Sequence, residues 1–349
     1  MRTQQIKEKM LAEGLDAFVV TDMKNIYYLT GFSGTAGMIL LTEHQDYLLT
    51  DDRYIDFARE VVKDMTVIST REPLKEIAKL STALTKIAFE DSIDFATYKA
   101  LADLLKTELI PSSNFFMSLR QIKDEDEIKL IRKACQITDQ AYSDVLKFIE
   151  PGRTELEVAN FLDFRMRELG ASGVSFEAIV ASGKRSALPH GVATNKPIDL
   201  GDVVTIDFGC FYQHYASDMT RTIFVGQVDD KMREIYATVL AANSALIEKA
   251  KAGLSFADFD KIPRDVIASS GYGANFTHGI GHGFGLDIHE PPFFNQKMTD
   301  QLLQENMILT DEPGIYLSNN GGVRIEDDLL ITKDGCEVLT QSPKDLIVV

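Results

Sequence analysis

Cysteine, basic side chains and long apolar segments are all scarce in this sequence of 349 residues. The three cysteines, Cys135, Cys210 and Cys336, are far apart in the chain, which argues against a disulfide framework or a thiolate zinc site and favours a reducing compartment. The first ten residues are polar and lack the apolar core of a signal peptide. No apolar run approaches the roughly 18–20 residues that span a bilayer. We therefore expect a cytoplasmic protein with no membrane partner.

The shortage of basic side chains gives the chain a strongly acidic charge balance. The 53 Asp and Glu residues outnumber the 36 Lys and Arg residues, so the formal net charge is -17 at pH 7. Such a surface repels nucleic acid and anionic lipid, and we expect neither as a partner. The content of 45% hydrophobic and 26% charged residues is typical of a soluble globular protein. The length is sufficient for two ordinary domains.

The patterning divides the chain into two segments. Residues 1–120 alternate short apolar runs with helical patterns, which predicts a small α/β domain. The charged stretch Leu119–Asp126 is interpreted as a solvated boundary. Residues 125–349 then mix helices and strands and form a second domain, so the predicted fold class is α/β, or more strictly α+β.

Helix signals at the start of the second domain are clear. Apolar residues recur at helical spacing from Glu125 to Ile149, and Pro151-Gly152 predicts the end of that helix. Thr154 and Glu157 predict a capping box for the next helix. Further along, a helix from Asp230 to Lys251 and a helical segment interrupted by Pro263 are predicted between two strand-rich regions.

Two acidic residues interrupt apolar strand patterns in the first strand-rich region. Asp207 lies within a β-branched run, and Asp218 immediately precedes a second run. A hairpin whose turn is centred between Tyr212 and Gln213 would place the two carboxylates opposite each other, with Cβ atoms about 5 Å apart. Facing like charges destabilise a sheet unless something compensates them. This arrangement therefore predicts a bound cation.

A second hairpin and a histidine-rich run strengthen that prediction. Glu312 and Glu326 are symmetric about Asn319 within the turn signal SNNGG, which would bring two more carboxylates together. Three of the six histidines fall within twelve residues of a glycine-rich run, and a fourth follows Pro189; they are His278, His282, His289 and His190. Each feature alone has a simpler explanation, such as a turn residue, an ion pair with Arg324 or a structural loop. Their joint occurrence favours a metal site.

The charge of the predicted cluster indicates how many ions it holds. Four ionised carboxylates would repel one another strongly around one divalent ion, whereas two ions balance them. Oxygen-rich ligation with a single imidazole favours manganese, magnesium or cobalt over a thiolate-type structural zinc site. Of these we expect manganese, with cobalt or zinc as the alternatives. Two ions about 3.5–4 Å apart would lower the pKa of a water between them.

The motifs that surround these residues resemble those of the pita-bread metallopeptidases, which include methionine aminopeptidase, prolidase and Xaa-Pro aminopeptidase. The resemblance rests on VTIDFG, SDMTRT, THGIGHGFGLDIHE, DEPGIY and VRIEDD. It extends to the first domain, where NIYYLTGFSGTAG and TDDRY resemble the N-terminal domain of the proline-specific branch. The implied architecture is a creatinase/prolidase-like domain over residues 1–120 and a pita-bread catalytic domain over residues 125–349.

Carried over position by position, the resemblance implies a role for each polar residue of the cluster. Glu312 would be both a ligand and the general base. His190 and His289 would hold the substrate carbonyl, His278 would line the pocket near the proline ring, and Arg324 would orient the acidic ligands. The implied metal ligands are Asp207, Asp218, His282, Glu312 and Glu326, of which Asp218 and Glu326 would bridge two ions. Asp311 departs from the family pattern, where an apolar residue is more usual.

The implied activity is that of a dinuclear metalloaminopeptidase that releases the N-terminal residue from peptides with proline at the second position. The nearest alternative is prolidase, an Xaa-Pro dipeptidase, which must bind the proline carboxylate through a cation. A remoter alternative is a non-catalytic binding protein of the same fold. By analogy with relatives that carry this N-terminal domain, we expect a homodimer or a higher homo-oligomer.

Overall fold

The computed structural model describes residues 2–349, which fold as two compact units. The first unit ends at Phe116 and the second begins at Met117. Both units combine helices with strands, so the predicted mixed α/β class is confirmed. Within residues 2–349, no helix combines the length and the apolar character that crossing a membrane requires.

The first unit is built on a six-stranded sheet with the strand order β4-β3-β2-β1-β5-β6. Its strands are β1 Ala17–Val20, β2 Met38–Thr42, β3 Tyr47–Thr50, β4 Thr66–Ser69, β5 Lys86–Glu90 and β6 Glu108–Ser112. The helices up to its end are α1 Arg2–Ala12, α2 Met23–Thr30, α3 Ile55–Val61, α4 Pro73–Leu80, α5 Phe95–Leu104 and α6 Phe115–Arg120. The central strands are apolar and buried on both faces, which explains why their runs are continuous in the sequence.

Strand β6 differs in sequence from the apolar central strands of the first unit. It contains Pro111, which pairs in register with Phe89 of β5. Proline cannot donate a ladder hydrogen bond, but β6 is the last strand of the sheet and needs none on its outer side. The position at the edge therefore makes proline compatible with a strand.

The second unit contains four α-helices and thirteen strands among its described residues. The helices are α7 Glu125–Val145, α8 Glu155–Glu168, α9 Asp230–Lys249 and α10 Phe256–Ser269. The first six strands are β7 Gly173–Val174, β8 Ile179–Ser182, β9 Val203–Phe208, β10 Cys210–Tyr212, β11 Tyr215–Ala216 and β12 Met219–Phe224. The other seven are β13 His282–Gly283, β14 Glu290–Phe293, β15 Ile308–Asp311, β16 Gly314–Leu317, β17 Gly321–Arg324, β18 Asp327–Ile331 and β19 Cys336–Val338.

Antiparallel sheets form the centre of the second unit. One has the order β12-β9-β8 and another the order β14-β13-β15-β18-β19, while β16 and β17 form a separate hairpin. Two hydrophobic cores flank these sheets. Helices α7 and α8 pack on one core with residues of β8, β9 and β12, and helices α9 and α10 pack on the other with residues of β15, β17 and β18. Polar side chains of the strands therefore lie between two layers of helices.

The helix termini follow the predicted capping signals. Thr154 and Glu157 form the predicted capping box of α8, and Asp124 forms a second box at the start of α7. Helix α7 ends at Val145, earlier than the apolar spacing up to Ile149 predicts.

Two predictions about local structure are wrong. Pro263 lies inside α10 without interrupting it, since burial of its ring offsets the missing backbone hydrogen bond. The charged stretch Leu119–Asp126 is not solvated throughout. Lys123 is buried there, and so is the neighbouring Arg120, because their charges are paired with carboxylates far away in the sequence.

Candidate metal centre

The first predicted hairpin forms, but with a register two residues away from the predicted one. Asp207 faces Thr220 across β9 and β12, and Asp218 lies one residue before β12. The turn is centred on Gln213 and His214, whose φ angles of 45° and 72° are both positive. Tight hairpins favour this conformation, but neither residue is Asn or Gly, so the sequence carries no signal for it. Because side chains alternate with period two, the shift leaves both carboxylates on the same face.

The second hairpin has the predicted register. Gly314 pairs with Arg324 and Leu317 with Gly321 in β16 and β17, so the residue numbers are symmetric about Asn319. The same register continues into β15 and β18, where Asp311 pairs with Asp327. Glu312 and Glu326 lie between the two paired segments. The turn signal in the sequence was therefore sufficient to place these two glutamates opposite each other.

His282 reaches the acidic residues from β13. The preceding Gly281 lies against β15, and a Cβ atom there would be 2.2 Å from the carbonyl oxygen of Thr310. Only glycine permits this close approach. It brings Nε2 of His282 to 3.7 Å from Oδ2 of Asp218 and 3.9 Å from Oε1 of Glu312. Asp218, His282 and Glu326 each offer one potential ligand atom, and these three atoms lie within 4.8 Å of one another.

All nine residues that the sequence singled out line one pocket of about 390 Å³ in the second unit. They are Asp207, Asp218, His190, His278, His282, His289, Glu312, Arg324 and Glu326. Apolar side chains form another part of the wall: Phe176, Ile179, Val192 and Phe293. Pockets of about 640 Å³ and 550 Å³ are larger, but their linings contain no histidine. The pocket of about 390 Å³ is the candidate site because it holds the converging titratable groups.

Burial and mutual repulsion raise the pKa values of the pocket carboxyls. Burial raises the pKa of Asp218 well above its usual value, and the nearby Glu326 adds to this effect. Burial likewise raises the pKa of Glu326 well above its usual value, with Glu312 as the main repelling neighbour. Burial raises the pKa of Glu312 to about 7, although Arg324 opposes the shift. Burial also raises the pKa of Asp207.

These carboxyl groups fit divalent cations. Oδ1 of Asp207 and Oδ1 of Asp218 are buried and accept no hydrogen bond from any residue between 2 and 349. An unpaired buried oxygen of this kind is costly unless a ligand completes it. Four carboxylates and one imidazole form an oxygen-rich donor set of the type that manganese binds.

Arg324 organises one side of the cluster through a hydrogen-bond network. Its Nη2 donates to Oδ2 of Asp207 at 2.5 Å, and its Nε donates to the hydroxyl of Thr220 at 3.1 Å. That hydroxyl donates to Oε2 of Glu326 at 2.6 Å. The Nη1 atom donates to the hydroxyl oxygen of Tyr316 at 2.9 Å. One guanidinium is therefore linked to two of the predicted ligands, directly to Asp207 and through the Thr220 hydroxyl to Glu326.

Tyr316 and Thr220 are members of the site that the sequence analysis did not identify. Nε2 of His278 lies 2.8 Å from the hydroxyl of Tyr316, so this hydroxyl links His278 to Arg324. Burial raises the pKa of Tyr316 to about 12, so it remains a neutral phenol at physiological pH. Both residues occur within strand patterns, and only the contacts between the two hairpins distinguish them from ordinary strand residues.

Two histidines of the pocket, the half-buried His278 and the buried His282, are neutral near pH 7. Burial lowers the pKa of His278 and of His282 to about 4. Burial also lowers the pKa of His289, whose ring centroid is 4.4 Å from that of His282. A neutral imidazole can coordinate a metal or donate one hydrogen bond to a carbonyl oxygen.

Asp311, the residue that departs from the family pattern, lies behind the pocket. It is fully buried and faces Asp327 across the strands, and its Oδ2 accepts a hydrogen bond from the amide of Asn243 at 3.2 Å. Burial raises its pKa well above the usual value, and the repulsion of Asp327 adds to this. Asp311 is thus not part of the pocket wall and removes none of the predicted ligands.

Comparison with known proteins agrees with this architecture over almost the whole chain. Residues 129–333 match metallopeptidase family M24, and residues 2–122 match the creatinase/prolidase N-terminal domain. The Xaa-Pro dipeptidase of Pyrococcus horikoshii is 39% identical over 99% of this chain and 98% of that protein.

Solved structures give the same result. The Xaa-Pro dipeptidase from Bacillus anthracis has a TM-score of 0.97 with 42% identity, over 100% of this chain and 99% of the other. The X-Pro aminopeptidase from Thermotoga maritima has a TM-score of 0.93 with 35% identity, over 100% of both chains. An N-terminal creatinase/prolidase-type domain and a C-terminal pita-bread domain account for these matches. The chain belongs to metallopeptidase family M24.

Proposed function

We propose that this chain is a dinuclear metal-dependent peptidase that hydrolyses the bond between a first residue and a following proline. The observation that carries the proposal is the convergence of three buried carboxylates, the half-buried Glu312 and His282 around one basic side chain, Arg324. The proposed ligands are Asp207, Asp218, His282, Glu312 and Glu326. Two divalent ions, manganese in the first instance, would balance their charge, polarise the scissile carbonyl and lower the pKa of the attacking water.

Glu312 is the proposed general base. Its carboxylate lines the pocket with Oε1 3.9 Å from Nε2 of His282, so it lies beside the other proposed ligands, where a carboxylate can accept and return a proton. In the proposed reaction, an oxygen of Glu312 accepts a proton as water attacks the carbonyl carbon. The same proton passes to the proline nitrogen when the C–N bond breaks. His289 donates a hydrogen bond to the carbonyl oxygen, and His190 contacts the same oxygen from the loop beside the pocket.

The apolar part of the pocket suits a proline ring. Phe176, Ile179, Val192 and Phe293 line it together with His278. An Xaa-Pro bond has no N–H group and its proline φ is fixed, so backbone pairing of the substrate is impaired. Recognition must therefore come from contact between the ring and an apolar wall, which supports proline at the second position.

For the length of the substrate, we favour an Xaa-Pro dipeptide. The dipeptidases from Bacillus anthracis and Pyrococcus horikoshii are 42% and 39% identical to this chain, whereas the aminopeptidase from Thermotoga maritima is 35% identical. These names support the dipeptidase better than the aminopeptidase that the motifs alone led us to expect.

One feature of the pocket favours the aminopeptidase as a second candidate. A dipeptidase has to bind the carboxylate of proline, and Arg324 is the single Lys or Arg among the described residues that line this pocket. Its guanidinium already donates to Asp207, Thr220 and Tyr316. A longer peptide brings no carboxylate to this position and needs no further cation.

Peptide hydrolysis after chelation tests both candidates. We expect no activity after treatment with a chelator, and recovery when manganese, cobalt, zinc or magnesium is added back. An Xaa-Pro dipeptide, an Xaa-Pro-Pro tripeptide and an Xaa-Ala dipeptide should be compared side by side. Preference for the first supports the dipeptidase and preference for the second supports the aminopeptidase. Hydrolysis that is indifferent to proline, or that survives chelation, would refute the proposal.

A further inference from the structure

A buried cluster of charges lies beside the pocket without forming part of its wall. It consists of Arg120, Lys123, Asp287 and Glu290, and we refer to it as the Glu290 clamp. The side chains of Arg120 and Glu290 are each 2% exposed and that of Lys123 is 1% exposed. The two basic residues lie at the start of the second unit, more than 160 positions before the acidic ones.

Both oxygens of the Glu290 carboxylate are engaged. Oε2 accepts a hydrogen bond from Nη2 of Arg120, and Oε1 accepts one from Nζ of Lys123 at 3.1 Å. The same Nη2 of Arg120 also donates to Oδ2 of Asp287 at 2.6 Å. Arg120 therefore connects two carboxylates that lie on either side of residue 289.

His289 is held between these two carboxylates along the backbone. Glu290 follows it directly and begins β14, where it pairs with Gly283, the residue after His282. The rings of His282 and His289 are 4.4 Å apart between centroids. The clamp thus fixes the backbone on both sides of one imidazole of the pocket and relates it to the neighbouring imidazole.

Gly285 shows how tightly the clamp is enclosed. A Cβ atom at this position would be 2.8 Å from Oε1 of Glu290 and 3.3 Å from Cε of Lys123. A methyl group at position 285 would therefore displace the carboxylate or the ammonium group. The packing of the Glu290 clamp therefore explains why position 285 of the histidine-rich run is a glycine.

Stability alone is a weak explanation for the clamp. Removing such charges from water costs several kcal/mol per ion, and well-packed apolar residues are often as stabilising as a buried ion pair. Ion pairs with fixed geometry are, however, well suited to hold a backbone segment in one position. Residues that orient the groups of a metal site typically affect activity by about 10–100-fold when they are replaced.

We propose that Arg120 and Lys123 are positioning residues for His289. By holding Glu290 and Asp287, they place the imidazole where it can donate a hydrogen bond to the scissile carbonyl. This inference rests on the role given to His289 in the proposed function. It assigns a function to two residues that the sequence pattern places in a boundary between domains.

A double-mutant cycle tests whether Arg120 acts through His289. We expect Arg120→Met to lower kcat by at least about tenfold with little change in KM, and His289→Ala to lower it at least as much. In the His289→Ala background, Arg120→Met should cost less than about twofold, because the group that it positions is gone. An equal loss in both backgrounds would overturn the proposal. Arg120→Lys should restore part of the activity.

Two further variants keep the test decisive if Arg120→Met folds poorly. Gly285→Ala retains all four charges and should lower kcat by displacing Glu290. Glu90→Gln replaces a buried carboxylate of the first unit, 5% exposed and hydrogen-bonded to Asn25, and should leave kcat unchanged. Equal effects of Gly285→Ala and Glu90→Gln on kcat would contradict the positioning role.

A spectroscopic measurement separates this proposal from the proposed function. The zinc-loaded protein with labelled histidines has six imidazole signals, and His289→Ala identifies one of them. We expect Arg120→Met and Gly285→Ala to shift or broaden that signal, while the signal of His44, an exposed residue of the first unit, stays unchanged. If His289→Ala retains full activity, the role of His289 in catalysis is wrong. If the His289 imidazole signal does not change in the Arg120→Met variant, the clamp proposal is wrong.

Discussion

Glu326 and Asp327 are adjacent in the sequence and both are buried, yet their surroundings differ completely. Glu326 faces the pocket, where burial raises its pKa well above the usual value and Glu312 and Asp207 add to the shift. Asp327 faces the other side of the strand. Its two oxygens accept hydrogen bonds from Arg221 at 2.8 Å and from Lys344 at 2.6 Å. Burial alone would raise the pKa of Asp327, but these two cations hold it below its usual value.

This contrast separates structural carboxylates from those that await a ligand. Behind the strand the fold supplies its own cations, and it does the same for Glu290 through Arg120 and Lys123. In the pocket, the four carboxylates proposed as ligands have one Lys or Arg, Arg324, among the described lining residues, which also include Glu177.

Asp311 and Asp328 are also buried without an ion pair to any described residue, and burial raises their pKa values well above the usual range. What distinguishes the pocket is that its carboxylates converge on one space that a substrate can enter. Because unbalanced buried charge is costly, this convergence favours an external cation.

The largest expected effect is the loss of catalysis on the pocket side. Glu312→Gln keeps the shape of the side chain but removes the base, and we expect kcat/KM to fall by about 10²–10⁴-fold. The corresponding change behind the strand, Asp327→Asn, should reduce stability more than it reduces kcat of the folded fraction. Steady-state kinetics with metal analysis of each purified variant measures the difference. Comparable turnover of Glu312→Gln and the unmodified chain would refute the assigned role.

The next effect concerns stability and should have opposite signs on the two faces. In the metal-free protein, Asp218→Asn relieves repulsion and should stabilise the fold by about 1 kcal/mol. Arg221→Met leaves the buried charge of Asp327 without one of its cations and should lower the free energy of unfolding by about 3–5 kcal/mol.

Urea unfolding in the presence of a chelator gives the free energy of unfolding of each variant and of the unmodified chain. A second series of measurements, with manganese added, serves as the control. The advantage of Asp218→Asn should then reverse, because the unmodified site gains stability from the bound metal. Destabilisation by Asp218→Asn in the metal-free state would contradict the idea of an uncompensated cluster.

A smaller effect should appear in the pH dependence of stability. The pKa of Glu312 rises from 4.5 to about 7 in the fold, so the folded state binds this proton more tightly than the unfolded state does. Its contribution is therefore fully present below pH 4.5 and is lost as the pH rises to about 7. The lost free energy is on the order of 3 kcal/mol.

Histidines make the comparison with a variant necessary. The pKa values of His278 and His282 are lowered to about 4, so their contribution to stability increases with pH over much of the same range. The difference between the metal-free protein and its Glu312→Gln variant removes this background. We expect the two to be equally stable near pH 4.5 and the variant to be more stable near pH 7.5. A difference that does not change with pH would exclude the raised pKa.

How far the sequence predicts this site depends on the signals in each turn. The turn signal SNNGG gave the correct register for Glu312 and Glu326, whereas the turn at Gln213 and His214 has no such signal and the register there was wrong by two. The error did not affect which face carries the carboxylates, because an even shift preserves the face. The pocket was therefore predicted from alternation, even where the pairing was not.

Contacts between distant segments lie beyond what the sequence pattern provides. Lys123 belongs to a charged stretch that is typical of solvated linkers, but it is buried against Glu290, a residue 167 positions away. Tyr316 has an ordinary strand pattern, and its link to Arg324 and His278 arises only when the second hairpin meets the histidine-rich run. Long-range charge pairing has no period in the sequence, so it becomes visible only in the folded chain.

The smallest expected effects come from removing one hydroxyl on each face. Tyr316→Phe removes the link between Arg324 and His278 and should lower kcat by about tenfold, which corresponds to the net worth of one hydrogen bond to a charged group. Thr340→Val removes a hydroxyl that donates to Asp327 at 3.0 Å and should lower stability by about 1 kcal/mol without changing kcat. Kinetics and urea unfolding on both variants complete the comparison. If Thr340→Val lowered kcat as much as Tyr316→Phe does, the two faces of the strand would not be functionally separate, since a change in the neutralised network would then reach the reacting groups.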